Sequence, residues 1–542
     1  MDPSAATAPG LGPSAECVLS NVLAARAAEH PERTYAVFED GVTWTYAEAR
    51  RLAVSTAAGL QELGVGQNDH VLCWLPNGRY QIRTWFGTNQ AGAVYVPINT
   101  AYRGSLLEHV LCTSEARVLV TCEPLLSHLA DIDLGQVKKI VVVGSAQPPD
   151  VLFPATVTPG SVLDAEPESF TPPPCPIEPW DVQAIIFTSG TTGLSKGVAC
   201  SYTHLHTSAA SAFRGLLGSD DRYLVNLPLF HAAGVIGTIG MLNLGASVAV
   251  TSHFDTKRFW STVQQYGITS CTLLGVMAAF LTKQESDPAE IENSLRAAYI
   301  VPLTDMAIQF AKRFDVDTYS MFNMTELSCP IITEKNPGTA GICGRPRAGV
   351  QVRVADEHDR ELPDGQIGEL LLRSDRPWEF AHAYHRMPEA TAQAWRNGWF
   401  HTGDAFRRES DGTLHFVDRL KDAIRRRGEN IASSEVEAEV REFPGVRDAA
   451  AIAVPSEDGE DEILVAVLPV EDEQIDPAEL ITVMQQRVAH FMVPRYVRIV
   501  ESMPMTPTEK VRKTTLREQG ITPDTWDRVL AGIQVKREHI VI

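Results

Sequence analysis

The chain has 542 residues, more than the ~50–250 that one domain usually holds, so several cores are required. Its 44% apolar and 21% charged residues are those of a globular enzyme. With 47 basic against 68 acidic residues, net −21, neither nucleic acid nor an anionic membrane suits it as main partner.

Residues 1–15, rich in Ala, Pro, Gly and Ser, read as a flexible tail and lack the basic start and apolar core of a signal peptide. Helical patterns then alternate with short apolar runs, Val71–Leu75, Val118–Val120 and Ile140–Val143, which predict an α/β fold with largely parallel sheets. Pro172-Pro173-Pro174 marks a linker, because consecutive prolines join neither a helix nor a central strand. Ala184–Phe187 reads as a buried strand. Ala232–Val250 is uncharged over a length that could span a bilayer. Its four glycines, Asn243 and lack of basic flanks favour a buried helix followed by a strand. From about 330 to 418 shorter strands such as Val350–Val354 and Glu369–Leu372 predict a small β-rich subdomain. The last part mixes helices (Val436–Phe443, Pro477–Phe491) with strands (Ala449–Val454, Ile463–Val470) at a size that folds alone. Nine scattered cysteines with no C-x-x-C pair suggest neither a disulfide framework nor a zinc site, and fit a reducing cytosol.

The eleven residues Thr188–Val198 are the most informative in the chain. Three glycines let backbone N–H groups converge on an anion, five hydroxyls add donors, and Lys196 adds a charge suited to phosphate. The spacing is not that of a P-loop NTPase, since Ser195 and not Gly precedes Lys196. A plain Gly/Ser/Thr surface turn is the competing reading.

This loop resembles the phosphate-binding signature of the adenylate-forming superfamily, which includes acyl-CoA synthetases, aryl-CoA ligases, luciferases and nonribosomal adenylation domains. Five further segments match in order: Leu227-Pro228-Leu229-Phe230-His231, Phe322-Asn323-Met324-Thr325-Glu326, Gly398–Asp404, Phe416–Asp422 and Pro504–Lys510. Phe259-Trp260, Gln264-Gln265-Tyr266 and Arg427-Gly428-Glu429-Asn430 look most like the crotonobetaine/carnitine-CoA ligase branch. The resemblance implies a large N-terminal domain of layered α/β subdomains (16–420) and a mobile α+β C-terminal domain (421–542), with Lys421 as the hinge.

The resemblance also implies site residues. Catalytic roles fall to Lys510, Glu326 and His231. ATP would meet Thr188, Ser189, Gly190, Thr191, Thr192, Gly193 and Lys196 at its phosphates. Val301, Pro302, Phe322, Asn323, Met324 and Thr325 would surround the base, and Asp404 and Arg419 the ribose. The acyl pocket would comprise Phe230, His231, Met277, Asn323 and Met324. Arg425, Arg426, Arg427 and Gly428 would receive coenzyme A, the glycine lining a narrow tunnel and an arginine meeting a phosphate. Each has a plainer reading. Glu326 beside Thr325 could be a helix-start carboxylate instead of a Mg2+ ligand. Asp404 could close an Asx turn, Lys510 could be a solvated charge, His231 a core histidine, and 425–427 a solvated basic face. The chain departs from the family at Ile300, Phe322, Asn323 and Glu509. Phe322 keeps a ring able to stack on adenine and loses the hydroxyl of the usual Tyr. Asn323, where Gly is usual, either satisfies neighbouring backbone or shortens the acyl site.

The expected activity is ATP-dependent ligation: a carboxylic acid becomes acyl-AMP with release of pyrophosphate, and a thiol then displaces AMP. ATP, Mg2+ and coenzyme A are the implied cofactors and substrates. The expected setting is cytoplasmic, with no membrane span and no nucleic acid, and with a homodimer as the assembly to test. Three alternatives stay open: a carrier-protein thiol as acceptor, a non-catalytic nucleotide-binding homologue, and a luciferase-like oxidation, for which the sequence offers no support.

Overall fold

The computed structural model describes residues 14–145, 153–188, 195–213, 215–285, 290, 293–419, 423–426, 429–456, 460–471, 473–504, 511 and 513–535. Two seven-stranded sheets, each parallel except for one antiparallel edge pair, organise residues 34–319. The first runs in the order Thr156–Pro159, Lys139–Val143, Val118–Cys122, His70–Trp74, Val94–Pro97, Val182–Thr188, Lys196–Ser201. The second runs Asp317–Tyr319, Ala297–Val301, Ser270–Leu274, Arg222–Val225, Ser247–Val250, Thr34–Phe38, Thr43–Thr45. Strands such as Val118–Cys122 and Ser247–Val250 are buried along their whole length, which is why they read as unbroken apolar runs instead of alternating ones. The apolar cluster that includes Tyr35, Tyr46, Trp85 and Phe86 continues through both sheets.

The third sheet is antiparallel throughout: Met321–Phe322, Ile331–Ile332, Ile342–Pro346, Leu414–Arg419, Phe400–Arg408, Ile367–Ser374, Val350–Ala355. It carries its own core around Phe322, Leu370, Phe400 and Phe406. Beyond it lie the hairpin Ala423–Arg426/Glu429–Ala432 and a four-stranded sheet, Val446–Pro455, Asp461–Pro469, Tyr496–Ile499, Trp526–Asp527. Helices Ser433–Arg441 and Pro477–Arg487 accompany them. The second helix starts as its sequence predicts, with Asp476 accepting from the Ala478 N–H and Pro477 at the first position. It ends at Arg487, four residues short of the expected Phe491, where Val488 turns extended.

The uncharged segment is helix Ala232–Leu244, closed by Gly245 at φ +67°, followed by strand Ser247–Val250. Among the described residues no helix is long and apolar enough to cross a membrane. The glycines in this helix serve packing: a Cβ at Gly237 would overlap the Tyr223 ring, and one at Gly240 the Phe213 ring. Gly240→Val is therefore expected to destabilise the fold by ~1–3 kcal/mol through overpacking. A melting temperature equal to wild type would show that the ring moves aside at no cost.

Candidate active site

Ligands of open parallel sheets gather at the carboxyl ends of the strands. Here those ends carry the segments singled out in the sequence. Val182–Thr188 runs into the glycine-rich loop, and its last residue pairs with Lys196 on the return strand, the Thr188 Oγ1 donating to the Lys196 carbonyl at 3.4 Å. Ser189, Gly190, Thr191, Thr192 and Gly193 lie outside the described residues. Ala297–Val301 ends at Pro302, Ser270–Leu274 leads into the helix bearing Met277, and Arg222–Val225 leads to Phe230 and His231.

Glu326 is 5% exposed. The Tyr384 hydroxyl donates to its Oε1 at 2.7 Å, and the Ala381 N–H donates to its main-chain carbonyl at 2.9 Å. The Lys196 ammonium stands 4.5 Å from the centre of the same Tyr384 ring. Lysine, ring, hydroxyl and carboxylate thus form one connected unit. Burial, then the Glu326 charge and its hydrogen bond, hold the Tyr384 phenol well above its ordinary pKa, so it is a permanent donor. A buried carboxylate supported by a neutral donor beside a lysine fits a hard cation bound together with phosphate oxygens.

Phe322 is buried and meets Phe406 edge to face at 4.9 Å, inside the core of the third sheet. Asn323 accepts from the Cys329 N–H at 2.9 Å, the backbone-satisfying role of the two considered. Met324 packs on the same core, and the Thr325 carbonyl accepts from the Cys200 thiol at 3.8 Å. Asp404, 3% exposed, lies directly across the ladder from Arg419, its N–H donating to Thr402 Oγ1.

A cavity of about 1220 Å3 opens between the strand ends of the second sheet and the C-terminal residues. Phe230, His231 and Met277 line it, and Asn323 and Met324 do not. Its far wall includes Gln485, His490 and Phe491. The two walls touch through His231 Nε2 and Glu429 Oε2 at 2.8 Å. Burial lowers the His231 pKa, and the Glu429 carboxylate more than offsets this, so the imidazole stays raised and cationic toward higher pH. Nearby, Ser105 donates to Glu439 at 2.6 Å. Buried Tyr102 feels the charges of Glu435 and Glu429, and burial pushes the Glu435 carboxyl up to about 8.

Arg426, one of the arginines that the resemblance assigns to coenzyme A, is 2% exposed. Its guanidinium donates to the carbonyls of Phe491 and Val493 and pairs with Glu462 at 2.8 Å. The residue fastens the hairpin to the C-terminal sheet, because alternate residues of a strand face inward and this one does. Lys421, Arg427, Gly428 and Lys510 lie outside the described residues, and of Arg425 only the backbone, paired with Asn430, is described. Tyr384, Glu429 and Glu435 were missed as site residues. Glu429 stood inside a quoted motif, whereas nothing local marks Tyr384, 58 residues from its partner.

The AMP-binding enzyme family matches residues 23–379, and the AMP-binding enzyme C-terminal domain matches residues 435–510. The chain is 31% identical to a feruloyl-CoA synthase of Amycolatopsis sp over 91% of its length and 97% of that protein. It is 28% identical to the crotonobetaine/carnitine-CoA ligase of Salmonella arizonae over 88% and 93%. The amide bond synthetase McbA of Marinactinospora thermotolerans superposes with a TM-score of 0.78 at 25% identity, over 92% of this chain and 99% of that one. The chain therefore belongs to the AMP-binding enzyme family, and within it to the ATP-dependent, AMP-forming acid–thiol ligases.

Proposed function

We propose that this ligase activates a compact carboxylic acid whose apolar body lies against Phe230 and Met277, and that the acyl group meets coenzyme A in the cavity between the strand ends and the C-terminal residues. The observation that carries the reading is that cavity, walled by Phe230 and Met277 on one side and by Gln485 and Phe491 on the other. The acid carboxylate attacks the α-phosphorus of ATP, giving acyl-AMP and pyrophosphate. The thiol then attacks the acyl carbon and AMP leaves. The first step brings an anion onto a polyanion, so cationic groups must stand where negative charge develops. Lys196, the loop 189–193 and Lys510 supply them in this reading, with Asp404 and Arg419 for the ribose. Glu326 would hold Mg2+, which neutralises phosphate charge when bound. His231 is engaged with Glu429 and biased toward its cation, which suits a latch between the two walls and not a base for the thiol. None of the nine cysteines is in a disulfide, which suits a reducing cytosol. Light scattering would distinguish a monomer from the expected homodimer.

ATP–pyrophosphate exchange over a panel of acids tests the acyl site. Phe230→Ala and Met277→Ala are expected to lower kcat/KM for the preferred acid by ~10–200-fold, the value of a lost methylene or more in an apolar pocket. Asn323→Gly should leave the ranking of acids unchanged, since its amide is engaged with Cys329. A ranking shifted toward longer chains by Asn323→Gly would overturn this.

Lys510→Ala separates the half-reactions. It is expected to abolish pyrophosphate exchange while sparing thioester formation from presynthesised acyl-adenylate. Equal loss of both would assign the lysine to folding or coenzyme A binding.

The contact between the walls should respond to pH. Free histidine titrates near ~6.5. The raised value of His231 in the closed contact means that its contribution is full below ~6.5 and is lost as pH rises through the raised value. Glu435, neutral up to about 8 when buried and near ~4.3 when exposed, acts in the same direction. Energy transfer between dyes on the N-terminal and C-terminal parts should thus report less closure at pH 8.5 than at pH 6. Glu429→Gln and Glu435→Gln should each flatten the change, and a closure that strengthens with pH would refute the latch.

A further inference from the structure

Tyr384 has no part in any motif recognised from sequence, yet it touches both charged groups of the proposed phosphate and metal site. Its segment runs beside strand Lys196–Ser201: His382 N–H donates to the Ala199 carbonyl at 2.9 Å, Ala199 N–H to Ala383 at 3.0 Å, and His385 N–H to Gly197 at 2.7 Å. Val198 bridges Tyr384 across this added strand. On its other flank the Tyr384 N–H donates to Thr391 Oγ1 at 3.0 Å, and its ring meets Trp395 edge to face at 5.9 Å. The residue is 6% exposed. Backbone and ring are therefore fixed before any ligand arrives.

From that fixed frame the hydroxyl reaches Glu326 Oε1 and the ring face reaches the Lys196 ammonium. Glu326 Oε2 makes no hydrogen bond to a described residue. One carboxylate oxygen is thus anchored and the other is presented. The same segment also holds the Glu326 main chain through Ala381.

We propose that Tyr384 is a positioning residue: it sets the Glu326 carboxylate for a divalent cation and holds Lys196 over the nucleotide phosphates, so that metal and nucleotide bind as a coupled pair. This rests on the reading of Glu326 as the metal ligand. Hydrogen-bond partners of ligating carboxylates typically carry a 10–100-fold effect on metal affinity or activity. The ring adds a cation–π contact that survives loss of the hydroxyl. Tyr384→Phe therefore isolates the carboxylate function, and Tyr384→Leu removes both.

The test is calorimetric titration of the full-length protein with ATP at a series of MgCl2 concentrations, with pyrophosphate exchange run in parallel. Tyr384→Phe is expected to raise the Mg2+ concentration needed for coupled binding by ~10–100-fold and to leave metal-free ATP affinity unchanged. Tyr384→Leu should also weaken metal-free ATP binding, through Lys196. Saturating Mg2+ should restore exchange in Tyr384→Phe, which a merely destabilised protein would not show. In a Glu326→Gln background the phenylalanine should have no further effect on the Mg2+ dependence. A Tyr384→Phe protein with wild-type Mg2+ dependence, while Glu326→Gln loses it, overturns the role of Tyr384 alone. Unchanged Mg2+ dependence in Glu326→Gln overturns the metal role of Glu326 and the proposal with it.

Discussion

Bringing a carboxylate against a triphosphate is the constraint that orders this molecule. Charges of like sign must meet in a site that excludes water, so the compensating groups have to be in place beforehand. Glu326 shows what that demands locally. A carboxylate at 5% exposure is costly unless its oxygens are engaged. Here one oxygen takes a phenol hydroxyl and the main chain takes an N–H from the same segment. Two parallel sheets supply the rigid frame, since their strand ends bring residues distant in sequence to one edge.

The second wall of the cavity obeys a related rule. In the hairpin Ala423–Arg426/Glu429–Ala432, Arg426 and Glu429 are paired across the ladder. Arg426 is buried on the carbonyls of Phe491 and Val493, so the hairpin has little freedom to rotate about its own axis. Glu429 is set by that anchor and stands where His231 can meet it. Helix Pro477–Arg487 stops at Val488, whose extended backbone redirects the chain, and beyond it the carbonyls of 491 and 493 accept from Arg426. A run of arginines that reads as a solvated face thus contains a structural pin.

Much of the fold was legible because strands buried on both faces leave unbroken apolar runs, as at Ile140–Val143 and Ala184–Phe187. The helix–strand reading of Ala232–Val250 held because Gly245 supplies a left-handed end that a membrane span has no use for. The phosphate-loop reading of Thr188–Val198 rests on glycine, hydroxyl and lysine at short spacing, and residues 189–194 lie outside the described residues. What was not legible depends on tertiary contact. Tyr384 sits in Ala381-His382-Ala383-Tyr384, with no helical or alternating signature, and only the edge pairing with Lys196–Ser201 brings it to Glu326. Phe322 reads as a stacking ring, yet its place beside Phe406 is fixed by the core of a sheet assembled from strands far along the chain.

The two connected units, Lys196–Tyr384–Glu326 and His231–Glu429, differ in a way that follows from where they stand. The first lies beside the N-terminal sheet, with the N–H groups of His382, Tyr384 and His385 hydrogen-bonded, so it is suited to hold one geometry. The second joins the N-terminal part to the C-terminal hairpin by a histidine–carboxylate contact, its side chains 33% and 17% exposed, beside the Ser105–Glu439 hydrogen bond and an apolar cluster that both parts share. A contact of that exposure is weak and screened by salt. A contact of that kind suits the latch proposed above, whose opening would let product leave. In the proposed reading, fixed charge at the phosphate site and a reversible pair between the walls divide the labour of a two-step reaction on one site.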